Sequence, residues 1–312
     1  MAGLGMNRAA DRVVVLGSAN ADLIVRVERP PRVGETVIGA DLVTLAGGKG
    51  ANQAAAAGRL ADDVLFVGCV GRDSLGDLVL KALDDAGVNT SRVARVAAPT
   101  GVAFITVGAD GDNSIVVAPG ANHCVGFAEV DGLADLLDER TILVLQLELP
   151  TTVVERAVSM ASERGSRVLL NLAPATSVSA AALGNTDVLI VNETESEFLL
   201  GGRLPNEWAE VTEQLRRLGP TCVVVTIGPD GAVANDAGTV VQVGAPVVPV
   251  VDTTGAGDAF VGALAVRLAS GETLFDAAEF AVRAASSTVQ FRGAQPSYVG
   301  LSRLLPDDGA TP

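Results

Sequence analysis

The chain has 312 residues, 48% of them hydrophobic and 19% charged, so it has the apolar content to bury a large core and is not a disordered protein. Its formal net charge of −15 argues against a nucleic-acid or anionic-membrane partner, which would require clustered Lys and Arg. One histidine, His123, and three distant cysteines, Cys69, Cys124 and Cys222, leave no zinc knuckle, disulfide framework or Ser-His-Asp triad, so the chemistry falls to carboxylates, Lys and backbone amides.

Residues 1–12 contain no apolar h-region, and apolar runs elsewhere stay well short of the ~20 residues that span a bilayer, so a soluble, cytoplasmic protein is expected. The first strand is expected at Arg12–Gly17. Asp22–Leu45 then alternates apolar and polar residues around a turn at Arg32–Glu35. Next come a helix at Gly50–Ala61, a strand at Asp63–Val70 and a helix at Leu75–Ala86. A second alternating stretch, Pro99–Ala118, turns at Ala109–Asn113. Strands are expected at Thr141–Gln146, Arg167–Asn171, Val188–Val191 and Cys222–Ile227, and helices at Thr152–Arg164, Pro205–Leu218 and Gly257–Leu268; residues 306–312 read as a frayed tail. Continuous apolar strands alternating with helices predict an α/β fold: a layered, mostly parallel sheet with helices on both faces. The alternating stretches predict antiparallel strands of a small accessory sheet.

Asp252-Thr-Thr-Gly-Ala-Gly-Asp258 follows the apolar segment Val247–Val251 and opens an Ala-rich helix. Gly255 and Gly257 allow the Gly255–Asp258 amides, including that of Ala256, to converge, and the helix dipole adds positive potential, so an anion can be held there. In the first helical turn Asp258 could accept a proton from an attacking hydroxyl, or it could simply cap the helix. Ala46-Gly-Gly-Lys49-Gly-Ala-Asn52-Gln53 precedes the Ala-rich segment Ala54–Gly58; Gly47 and Gly48 permit close backbone approach, while Lys49 and Asn52 offer donors suited to hydroxyl oxygens. The same loop also reads as a tight turn. Asn20 and Asp22, after the first strand, could hold vicinal hydroxyls or mark a turn. Glu148 lies just after a buried strand, at the edge where α/β proteins place ligands. Gly48-Lys49 is followed by Gly50, and position 43 is Val, so the loop is not a Walker P-loop; Gly257 lacks the third glycine of a dinucleotide fingerprint.

SANAD at Ser18–Asp22, GGKGANQ at Gly47–Gln53, NETE at Asn192–Glu195, DTTGAGDAF at Asp252–Phe260 and GAQPS at Gly293–Ser297 occur in that order, and together the chain closely resembles the ribokinase branch of the PfkB carbohydrate kinase family over residues 12–305. The resemblance implies a kinase domain over 12–305, with about 22–45 and 99–118 forming a β-sheet lid. It implies phosphorylation of ribose to ribose 5-phosphate with ATP and Mg²⁺, and a homodimer paired through its lids. Asn20, Asp22, Gly48, Lys49, Asn52 and Glu148 match sugar-binding positions, and Asp258 matches the catalytic base. Asn192 and Glu195 match a motif that organises Mg²⁺ and the phosphates; Thr226, Gly228, Gly231 and Gly257 match nucleotide-lining positions. Asp252, Thr254, Thr288, Phe291, Gly293 and Ser297 match a K⁺ site. The chain departs from the pattern at Pro229, Asp230 and Val282, the last standing where an Asn often contacts the nucleotide. A kinase for deoxyribose, fructose or adenosine, or a sugar- or nucleotide-binding protein without turnover, are the alternatives; for a purine nucleoside, Phe104 is the candidate stacking aromatic.

Overall fold

A computed structural model describes residues 10–110 and 112–305; the expected tail at 306–312, and most of the segment read for a leader, lie outside the described residues. The strands are β1 Arg12–Leu16, β2 Asn20–Arg26, β3 Val43–Gly47, β4 Val64–Gly71, β5 Asn89–Val96, β6 Gly101–Val107, β7 Asn113–Ala118, β8 Thr141–Leu145, β9 Arg167–Asn171, β10 Val188–Asn192, β11 Cys222–Thr226, β12 Ala232–Asp236 and β13 Thr239–Val243. Nine form one sheet in the order β13-β12-β11-β10-β9-β8-β1-β4-β5, and four form a smaller one, β3-β2-β6-β7. From β11 to β5 every pairing is parallel; β12 and β13 add an antiparallel edge.

Successive residues of the central strands feed opposite cores, as the period-2 geometry of a strand requires. Val13 and Val15 join one cluster with helices Lys49–Gly58, Ala256–Ala269 and Leu274–Thr288, while Val14 and Leu16 join the other with helix Thr151–Glu163. This two-sided burial explains why the strands read as unbroken apolar runs. No helix among the described residues is long and apolar enough to cross a membrane.

The large sheet reverses its winding at β1, whose neighbours are β4 and β8. Helices Lys49–Gly58 and Ala256–Ala269 approach so closely that a Cβ on Gly262 would lie 2.5 Å from the Gln53 carbonyl oxygen. Their contact is lined with fully buried Ala54, Ala56, Ala57, Ala259 and Ala263, and this closeness brings the first turns of both helices to the carboxyl end of β1.

Several expectations are corrected. The small sheet is not antiparallel throughout: β2 runs parallel to β6, because the chain passes through β4 and β5 of the large sheet before returning. Of Asp22–Leu45, only its two ends are strand; the middle is irregular, with the Arg32–Glu35 turn closed by a Glu35 amide to Arg32 carbonyl bond of 2.9 Å. The helix expected at Gly50–Ala61 spans Lys49–Gly58, and the one expected at Pro205–Leu218 spans Trp208–Arg216. The apolar segment Val247–Val251 is irregular and exposes Val247, Val250 and Val251.

Candidate functional site

The carboxyl end of β1 is threaded by the Gly-rich loop at very short range. Gly48 adopts φ 87°, and a Cβ there would lie 2.8 Å from the Asn20 amide nitrogen; a Cβ on Gly50 would lie 2.6 Å from the Gly17 Cα. Only glycine permits this crossing. It lets Glu148, arriving from the end of β8, take the Lys49 amide at 3.1 Å and the Ser18 hydroxyl at 2.6 Å, so a carboxylate sits on the positive end of the helix. Asn20 is 2% exposed and accepts a 2.7 Å bond from Asn122 Nδ2, which fixes its amide orientation. Asp22 is half-buried over Gly47 and has no hydrogen-bond donor among the described residues.

Opposite, Gly255 takes the left-handed conformation, φ 79°, and starts helix Ala256–Ala269, so Asp258 falls in its first turn. Tyr298 donates to the Gly255 carbonyl at 2.7 Å and pins the turn. The readings of the two glycines separate here: Gly255 makes the turn, whereas Gly257 is helical and a Cβ there would meet no protein atom within 4 Å. Asp258 does not cap its helix. Its Oδ2 accepts from Asn52 Nδ2 at 2.9 Å and its Oδ1 from Gln53 Nε2 at 3.0 Å, both on the neighbouring helix.

Two cavities meet at Gly257. One, of about 140 Å³, is lined by Lys49, Asn171, Asn192, Glu195, Thr226 and Asp258 among others. The other, of about 150 Å³, runs past Thr226, Gly228 and Gly231 to Phe260, Val282 and Ser286. Pro229 and Asp230 form a single 3-10 turn with Gly228, outside that lining, while Val282 presents an apolar wall. A third cavity, about 420 Å³, lies between the small sheet and residues 250–254 and 293–294, with Asp22 at its edge. Ile105 and Val107 line it, so Phe104, on the other face of β6 by strand alternation and 51% exposed, cannot stack on a ligand there.

Four carboxylates, Asp22, Glu148, Glu195 and Asp258, and the Lys49 amine crowd the junction. Burial pushes the Asp258 pKa up, opposed by Lys49 and by its two amide donors, with Glu148 adding to the rise. Burial, with Glu148 and Asp258, raises Asp22 to about 7. Burial alone would lower Lys49, but Asp258, Glu148 and Glu195 outweigh it, raise its pKa and keep the amine charged. Glu195 is raised by burial, against the Asn192 amide and Lys49. Asn192 and Glu195 close a capping box on helix Glu193–Leu200, each side chain taking the other's amide at 2.8 Å.

Asp252 lies apart from this junction. It accepts from the Gly293 amide at 2.9 Å and from the Thr254 amide and hydroxyl at 3.0 and 2.7 Å. Against the upward push of partial burial, these bonds hold its carboxyl below the usual range. Val289 accepts the amides of Val251 and Asp252, which draws 251–254 against the segment holding Thr288, Phe291 and Gly293; Ser297 follows one short helical turn later.

Gln53, Asn171, Gln146 and Gln295 had no role in the sequence reading, although each is buried and joined to the Asp258 network. The available signal was compositional: polar amides placed inside Ala-rich or apolar runs are buried for a reason.

The geometry can be compared with known proteins. Residues 10–299 match the family model described as pfkB family carbohydrate kinase. The chain is 37% identical over 292 residues to the ribokinase of Staphylococcus aureus, covering 92% of this chain and 96% of that one. It is 35% identical over 297 residues to the deoxyribokinase of Salmonella typhi, covering 94% and 97%. The Arabidopsis thaliana ribokinase structure complexed with ribose and ATP superposes with a TM-score of 0.85 at 35% identity, covering 95% of this chain and 98% of that one.

Proposed function

The chain belongs to the pfkB family of carbohydrate kinases, within its ribokinase branch, and from that premise we propose that it transfers the γ-phosphoryl group of ATP to the primary hydroxyl of ribose, giving ribose 5-phosphate and ADP. The observation that carries the reading is the buried carboxylate of Asp258, held by two amides at the meeting point of the cavities, in the first turn of a helix whose amides face the same space. As the sugar oxygen bonds to the γ-phosphorus and the bond to ADP breaks, Asp258 takes the hydroxyl proton. The Gly255–Asp258 amides and charged Lys49 meet the charge developing on the phosphoryl oxygens.

Asn20, Asp22, Gly48, Asn52 and Glu148 read the sugar hydroxyls in this proposal, and the small sheet closes over them as a lid that excludes competing water. Thr226, Gly228 and Gly231 line the nucleotide. A release assay for ADP across ribose, deoxyribose, fructose and adenosine tests the whole reading: ribose is expected to give the highest kcat/KM, and turnover with none of them removes it. Deoxyribose is the second reading, favoured by the 35% identity to a deoxyribokinase.

Sugar binding should depend on pH through Asp22. Hydroxyl donors stabilise its ionised form, so its pKa falls below about 7 in the complex, and affinity rises with pH up to about 7 and then levels. Calorimetry at pH 6 and pH 8 should show tighter ribose binding at pH 8, with Asp22→Asn abolishing the difference. Equal affinities in the parent protein exclude this role.

Mg²⁺ fits the phosphate side. Glu195 is buried beside Asn192, and its Oε1 has no donor among the described residues, which suits a hard cation or its water. Bound with ATP, Mg²⁺ would supply neutralisation of the phosphate charge. K⁺ fits beside Asp252, whose lowered pKa keeps it ionised and which forms no ion pair among the described residues. The Thr288 and Ser297 hydroxyls donate to the Ala285 and Ala294 carbonyls and the Thr254 hydroxyl to Asp252, which leaves their oxygen lone pairs for a cation; backbone carbonyls of this segment, including those of Phe291 and Gly293, would complete the site. Turnover at constant ionic strength should fall about tenfold when K⁺ is exchanged for a bulky organic cation, an effect of preorganisation at the adjacent turn. Equal rates in both salts make Asp252 purely structural.

The small sheet exposes Phe104, Ile115, Val116 and Val117, and we place the homodimer contact there. Light scattering that finds only a 31.6 kDa species at micromolar protein rules this out.

A further inference from the structure

We infer that Gln53 is a positioning residue for the catalytic base, its side-chain amide held in one orientation so that it can only donate to Asp258. The inference rests on Asp258 being the base. Gln53 is fully buried in the first half of helix Lys49–Gly58. Its Nε2 donates to Asp258 Oδ1 and to Asn171 Oδ1, both at 3.0 Å, and its Oε1 accepts from Gln146 Nε2 at 2.6 Å. Asn171 is itself oriented, because its Nδ2 donates to the Ile190 carbonyl at 3.2 Å and leaves Oδ1 toward Gln53. Turning the Gln53 amide over would set its oxygen against two acceptors and its NH₂ against the Gln146 NH₂. Each would be a buried polar mismatch, so the donating orientation is the only satisfied one.

A matching lock acts on the other oxygen. Gln295 Nε2 donates to Asn52 Oδ1 at 3.1 Å, which leaves Asn52 Nδ2 for Asp258 Oδ2 at 2.9 Å. The carboxylate plane is therefore set by two amides that touch no other site carboxylate, and each oxygen keeps a lone pair for the sugar proton. The chain tolerates a cost for this: Gln146 Oε1 is buried with no partner, as is Gln295 Oε1. Both orphans belong to the outer amide of a relay, as expected if the NH₂ direction toward Asp258 matters more than full pairing.

The charged and titratable groups facing Asp258 are Lys49 from the same helix as Gln53, Glu148 after β8, Asp22 from β2, Glu195 from helix Glu193–Leu200, and Tyr298. None of them is altered by Gln53→Met or Gln146→Met, so these variants isolate the donor. With Gln53→Met, the acidic limb of the kcat–pH profile should move about one pH unit to the alkaline side, as loss of a donor to a charged group requires. Turnover above the limb should fall less than tenfold, with KM for ATP within about twofold. Gln146→Met should move the limb in the same direction by less. If Gln53→Met does not fold, Gln146→Met decides alone. A limb that coincides with the parent's in every folded variant overturns the inference. Asp258→Asn, measured alongside, separates the two readings: if it keeps turnover, the base assignment fails, whereas an inactive Asp258→Asn with unmoved limbs removes only the role of Gln53.

Discussion

Asp258→Asn should lower turnover on the order of 10²–10⁴-fold, the usual contribution of a general base, while ATP and sugar still bind. The substitution keeps shape and removes the atom able to take the proton. It also disturbs the amide frame: Asn52 Nδ2 and Gln53 Nε2 both donate to the carboxylate, so one of them would face an NH₂ group. That mismatch costs about 1–3 kcal/mol. Removal of a buried charge whose pKa is already pushed up offsets part of it. The fold should therefore survive, and single-turnover measurement of ADP formation with both ligands saturating isolates the chemical step. Turnover within about threefold of the parent would end the assignment of Asp258 as base.

The two glycines before Asp258 should fail in opposite ways. Gly255→Ala forces a side chain into the left-handed region at φ 79°, and the new Cβ would lie 2.5 Å from both the Ala294 Cβ and the Tyr298 Oη. The conformation alone costs about 1–2 kcal/mol, and the overlap adds to it by displacing the hydroxyl that holds the turn. Thermal unfolding should drop by several degrees. Gly257→Ala meets nothing in the protein and favours the helix it sits in, so melting should hold or rise slightly. Its methyl instead enters the space shared by the two cavities, where the transferring phosphate would sit. Turnover should fall about 100-fold, since misplacement on the order of 1 Å at the reacting atoms has that effect. Calorimetric melting and ADP release on the same preparations read both. An active Gly257→Ala protein would move the phosphate elsewhere.

The parallel core and the location of the proposed site were legible before folding is considered. Strands buried on both faces are apolar through their middles, so β1, β8, β9, β10 and β11 were readable as nearly unbroken runs, with ligand-bearing residues expected at their carboxyl ends. Asp258 was legible because a glycine-rich helix start carries an acid only for a local reason, capping or chemistry. Folding removed the capping alternative, because Asn52 and Gln53, from a helix some two hundred residues earlier, take both carboxylate oxygens. The parallel pairing of β2 with β6 was hidden for the same kind of reason: alternation shows which face of a strand is apolar, but not which neighbour it pairs with or in what direction. β5 mixes exposed and half-buried positions at the sheet edge without regular alternation, and β12 and β13 join as an antiparallel edge, so none of the three carried the signal of the core strands. The amide relay through Gln146, Gln53 and Asn171 left no local pattern, because an amide's donor direction is set by the partners folding brings to it.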